Sequence, residues 1–87
     1  MKNIGLIGFG YMGKKYFHTS LKIKNILISK ILKKRLTKLN VLNVEFFRDF
    51  NLISKDKNID GYIIATPVSS HYNYARKIIN KKKPFII

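Results

Sequence analysis

Six residues near the start of the chain, Gly8-Phe9-Gly10-Tyr11-Met12-Gly13, limit its folding options more than any other feature. The spacing G-x-G-x-x-G is weak alone. Here an apolar run over residues 3–7 precedes it, and Met12, Tyr16, Phe17 and Leu21 follow at helical spacing, with lysines 14, 15, 22 and 24 on the other faces. Strand, glycine turn and helix in that order open a βαβ unit. Gly8 permits the tight turn out of the strand, Gly10 leaves the backbone bare for a phosphate, and Gly13 lets the helix approach the sheet. The helix start, around Tyr11 and Met12, then offers N–H groups and the positive end of a dipole to an anion. Residues 8–13 are therefore the candidate pyrophosphate contacts of a dinucleotide.

The rest of the chain continues the alternation. Residues 26–32 and 44–47 read as second and third strands, with Asp49 capping a short helix through residue 55. The segment 33–39 fits either a short helix or a basic loop. Residues 59–65 read as a fourth strand ended by Pro67. A helix then follows, capped by Ser69 or Ser70, with Tyr74, Ala75, Ile78 and Ile79 on its apolar face. Lys81-Lys82-Lys83 suits its C-terminus, where cations favour the dipole. Residues 84–87 begin a fifth strand whose apolar edge needs a cover. Strands alternating with helices predict an α/β fold, a Rossmann-type doubly wound parallel sheet of about five strands. A length of 87 residues allows one domain, spanning 1–87.

The end of the second strand discriminates between cofactors. An acidic residue about 20 positions beyond the glycines would bind the ribose 2′-hydroxyl of NAD. That place holds Lys33-Lys34-Arg35. Three cations favour a 2′-phosphate, so the expected cofactor is NADP(H), ahead of NAD(H).

The whole chain is basic, with 18 Lys and Arg against 4 Asp and Glu and a net charge of +14. Such a surface attracts phosphate backbones, so a basic nucleic-acid-binding module is a competing reading. Only Arg35, Arg48 and Arg76 are arginines, however. Lysine, isoleucine and asparagine share A/T-rich codons, which accounts for the composition without a nucleic-acid partner. The absence of cysteine excludes disulfides and thiol chemistry and fits a cytoplasmic chain. No apolar run reaches the roughly 18 residues of a membrane span. The apolar N-terminus is not a signal peptide, since it contains four glycines and runs into Lys14-Lys15. Neither metal-ligand spacing nor a G-x-S-x-G elbow appears.

A second motif, Ala65-Thr66-Pro67-Val68-Ser69-Ser70-His71, lies where the fourth strand meets its helix and lines the same crevice as the glycine loop. Thr66 can hydrogen-bond a ligand, Pro67 offers a flat apolar face, and His71 falls in the first helical turn. The combination of Ile4-Gly5-Leu6-Ile7-Gly8-Phe9-Gly10-Tyr11-Met12-Gly13 with Asp60-Gly61-Tyr62-Ile63-Ile64-Ala65-Thr66-Pro67-Val68-Ser69-Ser70-His71 resembles the glucose–fructose oxidoreductase/inositol dehydrogenase (Gfo/Idh/MocA) family. The resemblance implies a cytosolic, usually oligomeric NAD(P)-dependent oxidoreductase of sugars or polyols, with Thr66, Pro67 and His71 bordering the dinucleotide. It also implies a catalytic lysine in an E-K-P motif after the fifth strand, and a second α/β domain, neither of which falls within these residues. The expectation is thus a truncated Rossmann domain without catalytic residues of its own. A split subunit whose partner chain carries the remainder is the alternative.

Overall fold

The computed structural model describes residues 1–34 and 43–87. Arg35 and most of the segment read as either helix or loop lie outside the described residues. The elements run β1 (Lys2–Ile7), α1 (Tyr11–Ser20), β2 (Ile26–Leu32), β3 (Glu45–Phe47), α2 (Phe50–Ile53), β4 (Gly61–Ile64), α3 (Val68–Asn80) and β5 (Phe85–Ile86). All pairings are parallel, in the order β3-β2-β1-β4-β5. The first strand is therefore central, and the chain winds outward from it in both directions, as a Rossmann-type fold does.

Alternating side chains of the strands feed two apolar layers. On one face Leu6, Ile28 and Ile31 pack with Phe17 of α1. On the other, Ile7, Leu32, Tyr62 and Ile64 pack with Phe50 and Ile53 of α2 and Ile78 of α3. Helices thus cover both faces, which makes the sheet doubly wound. One irregularity sets the register. Ile4 pairs with Ile28 but Gly5 with Lys30, so Ser29 is an extra residue in β2. Strict alternation would put Lys30 and Leu32 on the face of Ile28. The bulge moves them to the opposite face, where Lys30 meets Glu45 (3.1 Å) and Asp56 (3.4 Å).

Three local expectations are corrected. Helix α1 ends at Ser20, before Leu21, the last of the positions at helical spacing, and buries Gly13, Phe17 and Ser20. Met12 and Leu21, expected on its apolar face, are 45% and 67% exposed. The cap of α3 is Pro67, with Ser69 and Ser70 already inside the helix. Asp49 does cap α2, accepting from the Asn51 N–H at 3.0 Å.

Helix α3 ends in a Schellman motif. The N–H of Lys82 donates to the Ile79 carbonyl (2.9 Å) and that of Lys83 to the Ile78 carbonyl (3.4 Å). Lys82 carries φ 58°, the left-handed conformation usually given to glycine.

Candidate functional site: a cleft at the switch point of the sheet

Helix α1 leaves β1 toward one face and α3 leaves β4 toward the other, so a crevice opens between the carboxyl ends of these adjacent strands. Such a reversal of winding is the usual ligand position in open α/β sheets. The cleft has a volume of about 350 Å³ and is lined by Gly8, Phe9, Gly10, Leu32, Lys33, Lys34, Ala65, Thr66, Pro67, Ser70 and Tyr74. Strand-end hydrogen bonds fix its floor. The Gly8 N–H donates to the Leu32 carbonyl (2.8 Å), the Ala65 N–H to the Ile7 carbonyl (2.8 Å), and the Lys33 N–H to the Phe47 carbonyl (2.7 Å).

Gly8 and Gly13 meet the steric demands that their spacing predicts. Gly8 has φ +101°, and a Cβ there would sit 2.9 Å from the Ala65 carbonyl oxygen. A Cβ on Gly13 would collide with the Gly8 carbonyl. Gly10 differs: a Cβ on it would meet nothing within 4 Å. Its bareness serves no packing need of the protein. It leaves an open cradle before the first turn of α1, and the residues present fit a dinucleotide pyrophosphate there.

Phe9, between two glycines, anchors the loop. Its ring stands edge-on to Phe17 (6.1 Å) and Phe46 (5.6 Å). The ammonium groups of Lys14 and Lys33 lie 5.9 and 6.0 Å from its centroid, within cation–π range. Lys33 is half-buried and Lys34 exposed. Among the described residues no acidic side chain lines the cleft.

On the opposite wall the Thr66-Pro67 turn is held by α3. The Ser70 hydroxyl donates to the Pro67 carbonyl (2.8 Å) and shares a hydrogen bond with Thr66 Oγ1 (2.7 Å). His71 Nε2–H donates to the Thr66 carbonyl at 2.6 Å. Since a carbonyl only accepts, Nε2 carries the proton, and in the neutral ring Nδ1 is the bare nitrogen.

Of the residues singled out from the sequence, Gly8, Phe9, Gly10, Lys33, Lys34, Thr66 and Pro67 are brought together around the cleft. Tyr11, Met12, Gly13 and His71 do not line it: the first three build the start of α1, and His71 braces the turn from behind. Ala65 and Ser70 of the second motif complete the lining with Leu32 and Tyr74, two residues that the sequence motifs do not contain. Thr66, Ser70 and Tyr74 recur every four residues, a spacing that places them on one side of a helix and its approach. Among the described residues no cluster of His, Asp and Glu can hold a metal ion. No described helix is long and apolar enough to cross a membrane.

Comparison with known proteins agrees with this geometry. Residues 2–87 match the family model described as oxidoreductase family, NAD-binding Rossmann fold. The chain belongs to the Gfo/Idh/MocA family. Its residues form the NAD-binding Rossmann fold of that oxidoreductase family. An oxidoreductase from Bacillus cereus is similar at 28% identity and a TM-score of 0.83, over 98% of this chain and 26% of that one. A probable dehydrogenase from Thermotoga maritima shares 23% identity at a TM-score of 0.87, over 95% and 26%. GenD2 from gentamicin A biosynthesis, solved in complex with NAD, has a TM-score of 0.85 at 13% identity, over 97% and 25%. The chain spans about a quarter of the length of these structures. No curated protein matches it.

Proposed function

We propose that residues 1–87 form the cofactor-holding unit of a cytoplasmic sugar or polyol oxidoreductase and bind NADP(H) in preference to NAD(H). The observation that carries this reading is the open face of Gly10, beside the first turn of α1 and across the cleft from Thr66-Pro67. The Gly8–Gly10 backbone and the N–H groups around Tyr11 and Met12 hold the pyrophosphate. Lys34, with Lys33 and Arg35 beside it in sequence, meets the 2′-phosphate of the ribose. The Thr66-Pro67 turn, braced by Ser70 and His71, walls the far side. When bound, the nicotinamide supplies or accepts the hydride. Groups that act on the substrate come from chain outside these residues, in the same polypeptide or in a partner, so the unit alone binds cofactor without turnover.

Fluorescence titration with NADPH and NADH tests the reading. NADPH binds about tenfold tighter, since one charge-assisted hydrogen bond at an exposed site contributes roughly 1.4 kcal/mol. Lys34→Asp abolishes or inverts that ratio and leaves the fold unchanged. Equal or tighter NADH binding by the unaltered chain overturns the NADP preference. Failure to bind either nucleotide overturns the function.

A further inference from the structure

A second cleft opens at the amino ends of β4 and β5, at the opposite end of the parallel strands from the glycine loop. It has a volume of about 530 Å³ and is lined by Ser54, Lys55, Asp56, Lys57, Tyr62, Lys81 and Lys83. Lysine is frequent along this chain, so its number is not the point. What matters is convergence. Lys55 and Lys57 come from the α2–β4 loop and Lys81 and Lys83 from the α3–β5 loop, and Lys83 Nζ donates to the Lys57 carbonyl (3.4 Å), tying the two loops together. The only carboxylate of the lining, Asp56, is already engaged. One oxygen pairs with Lys30 Nζ at 3.4 Å and the other accepts from the Asn58 N–H at 2.8 Å. The C-terminus of α3 also faces this region, with about half an elementary negative charge against four ammonium groups.

Tyr62 gives the cleft a neutral donor. Its side chain is all but buried (3% exposed) between the sheet and Phe50. Its hydroxyl makes no hydrogen bond with any described residue, yet it is not sealed from the cleft that Tyr62 lines. Burial, with the charge of Asp56 nearby, pushes the phenol above its ordinary pKa, so it keeps its proton. A buried phenol ordinarily finds a partner.

We infer that this cleft binds a small oligophosphate, with Lys55, Lys57, Lys81 and Lys83 neutralising its charge and the Tyr62 hydroxyl donating to one of its oxygens. The site is independent of the nucleotide cleft. Calorimetric titration with inorganic tripolyphosphate tests it. The unaltered chain binds one equivalent, and Gly10→Val does not change the affinity. The exposed pair Lys57→Gln/Lys81→Gln weakens binding at least tenfold. Tyr62→Phe, which keeps the ring in the core, weakens it several-fold. Removing the same charge elsewhere, as Lys22→Gln/Lys24→Gln, leaves it within twofold. The inference is overturned if both lysine pairs weaken binding equally, if Tyr62→Phe has no effect, if Gly10→Val abolishes binding, or if an oligonucleotide binds the same face more tightly than tripolyphosphate does.

Discussion

Gly8 and Gly10 stand two residues apart and serve opposite ends. Gly8 is required by the fold, through its positive φ and the Ala65 carbonyl 2.9 Å from where a Cβ would be. Gly8→Ala is expected to cost about 2–3 kcal/mol, the strain of a left-handed alanine plus the contact. Urea denaturation reads this as a lower midpoint with an unchanged slope. Gly10→Val should leave the midpoint within about 0.5 kcal/mol, because the site is open. On the proposed function its effect is expected in nucleotide titration, as a loss of at least about a hundredfold, since the side chain would fill the space that the proposal gives to the pyrophosphate. A loop serving packing alone would give the reverse order. The turn role of Gly8 and the packing role of Gly13 are legible in the sequence because glycine spacing is a statement about local backbone. The bracing of Thr66 was less so. The family resemblance places His71 beside the dinucleotide; its ring donates to the Thr66 carbonyl, and Ser70 and Tyr74 line the cleft.

At the scale of elements, the sequence declares its strands more clearly than its ends. The apolar run over residues 26–32 coincides with β2, Ile26–Leu32. Its bulge at Ser29 was invisible, because register depends on pairing with β1 and not on β2 alone. The consequence is concrete: without the bulge Lys30 would point into the layer beneath α1. Instead it spans Glu45 and Asp56 and stacks over Phe47 at 5.6 Å. Burial alone would lower its pKa, but the hydrogen bonds and charges of the two carboxylates hold it above the ordinary lysine value. The end of α3 offers a test of the opposite sign to most. Lys82→Gly relieves a left-handed lysine and should stabilise the protein by about 0.5–1 kcal/mol, even after the greater freedom of glycine in the unfolded chain is counted. A thermal melt should shift upward by roughly 2–8 °C for a domain of this size. A downward shift would show that the lysine side chain matters more than its backbone conformation.

For the whole molecule, charge and pH enter together. The folded chain holds the Tyr62 phenol above its usual pKa through burial and the nearby Asp56. Above about pH 10 the unfolded chain releases that proton first, so the folded state binds more protons and loses stability as pH rises through the folded value. Lys30, also raised, acts in the same direction. The decisive measurement is therefore a difference: Tyr62→Phe should lose less stability than the parent between pH 9 and 11, and parallel curves would refute the assignment. The doubly wound architecture was legible from strand–helix alternation because each element announces its own period. Which face each helix covers was not, since that depends on where the chain crosses the sheet. The central place of β1 has one more effect, on the order of events. Its neighbour β4 lies far along the chain: the Asn3 N–H donates to the Asp60 carboxylate across 57 positions of sequence. Synthesis therefore delivers β1 ahead of both its neighbours, and β1 waits with one edge open while α1, β2, β3 and α2 are made before β4. Closing so distant a pair is slow compared with helix formation, and the nascent chain is expected to resist protease only after β4 has emerged.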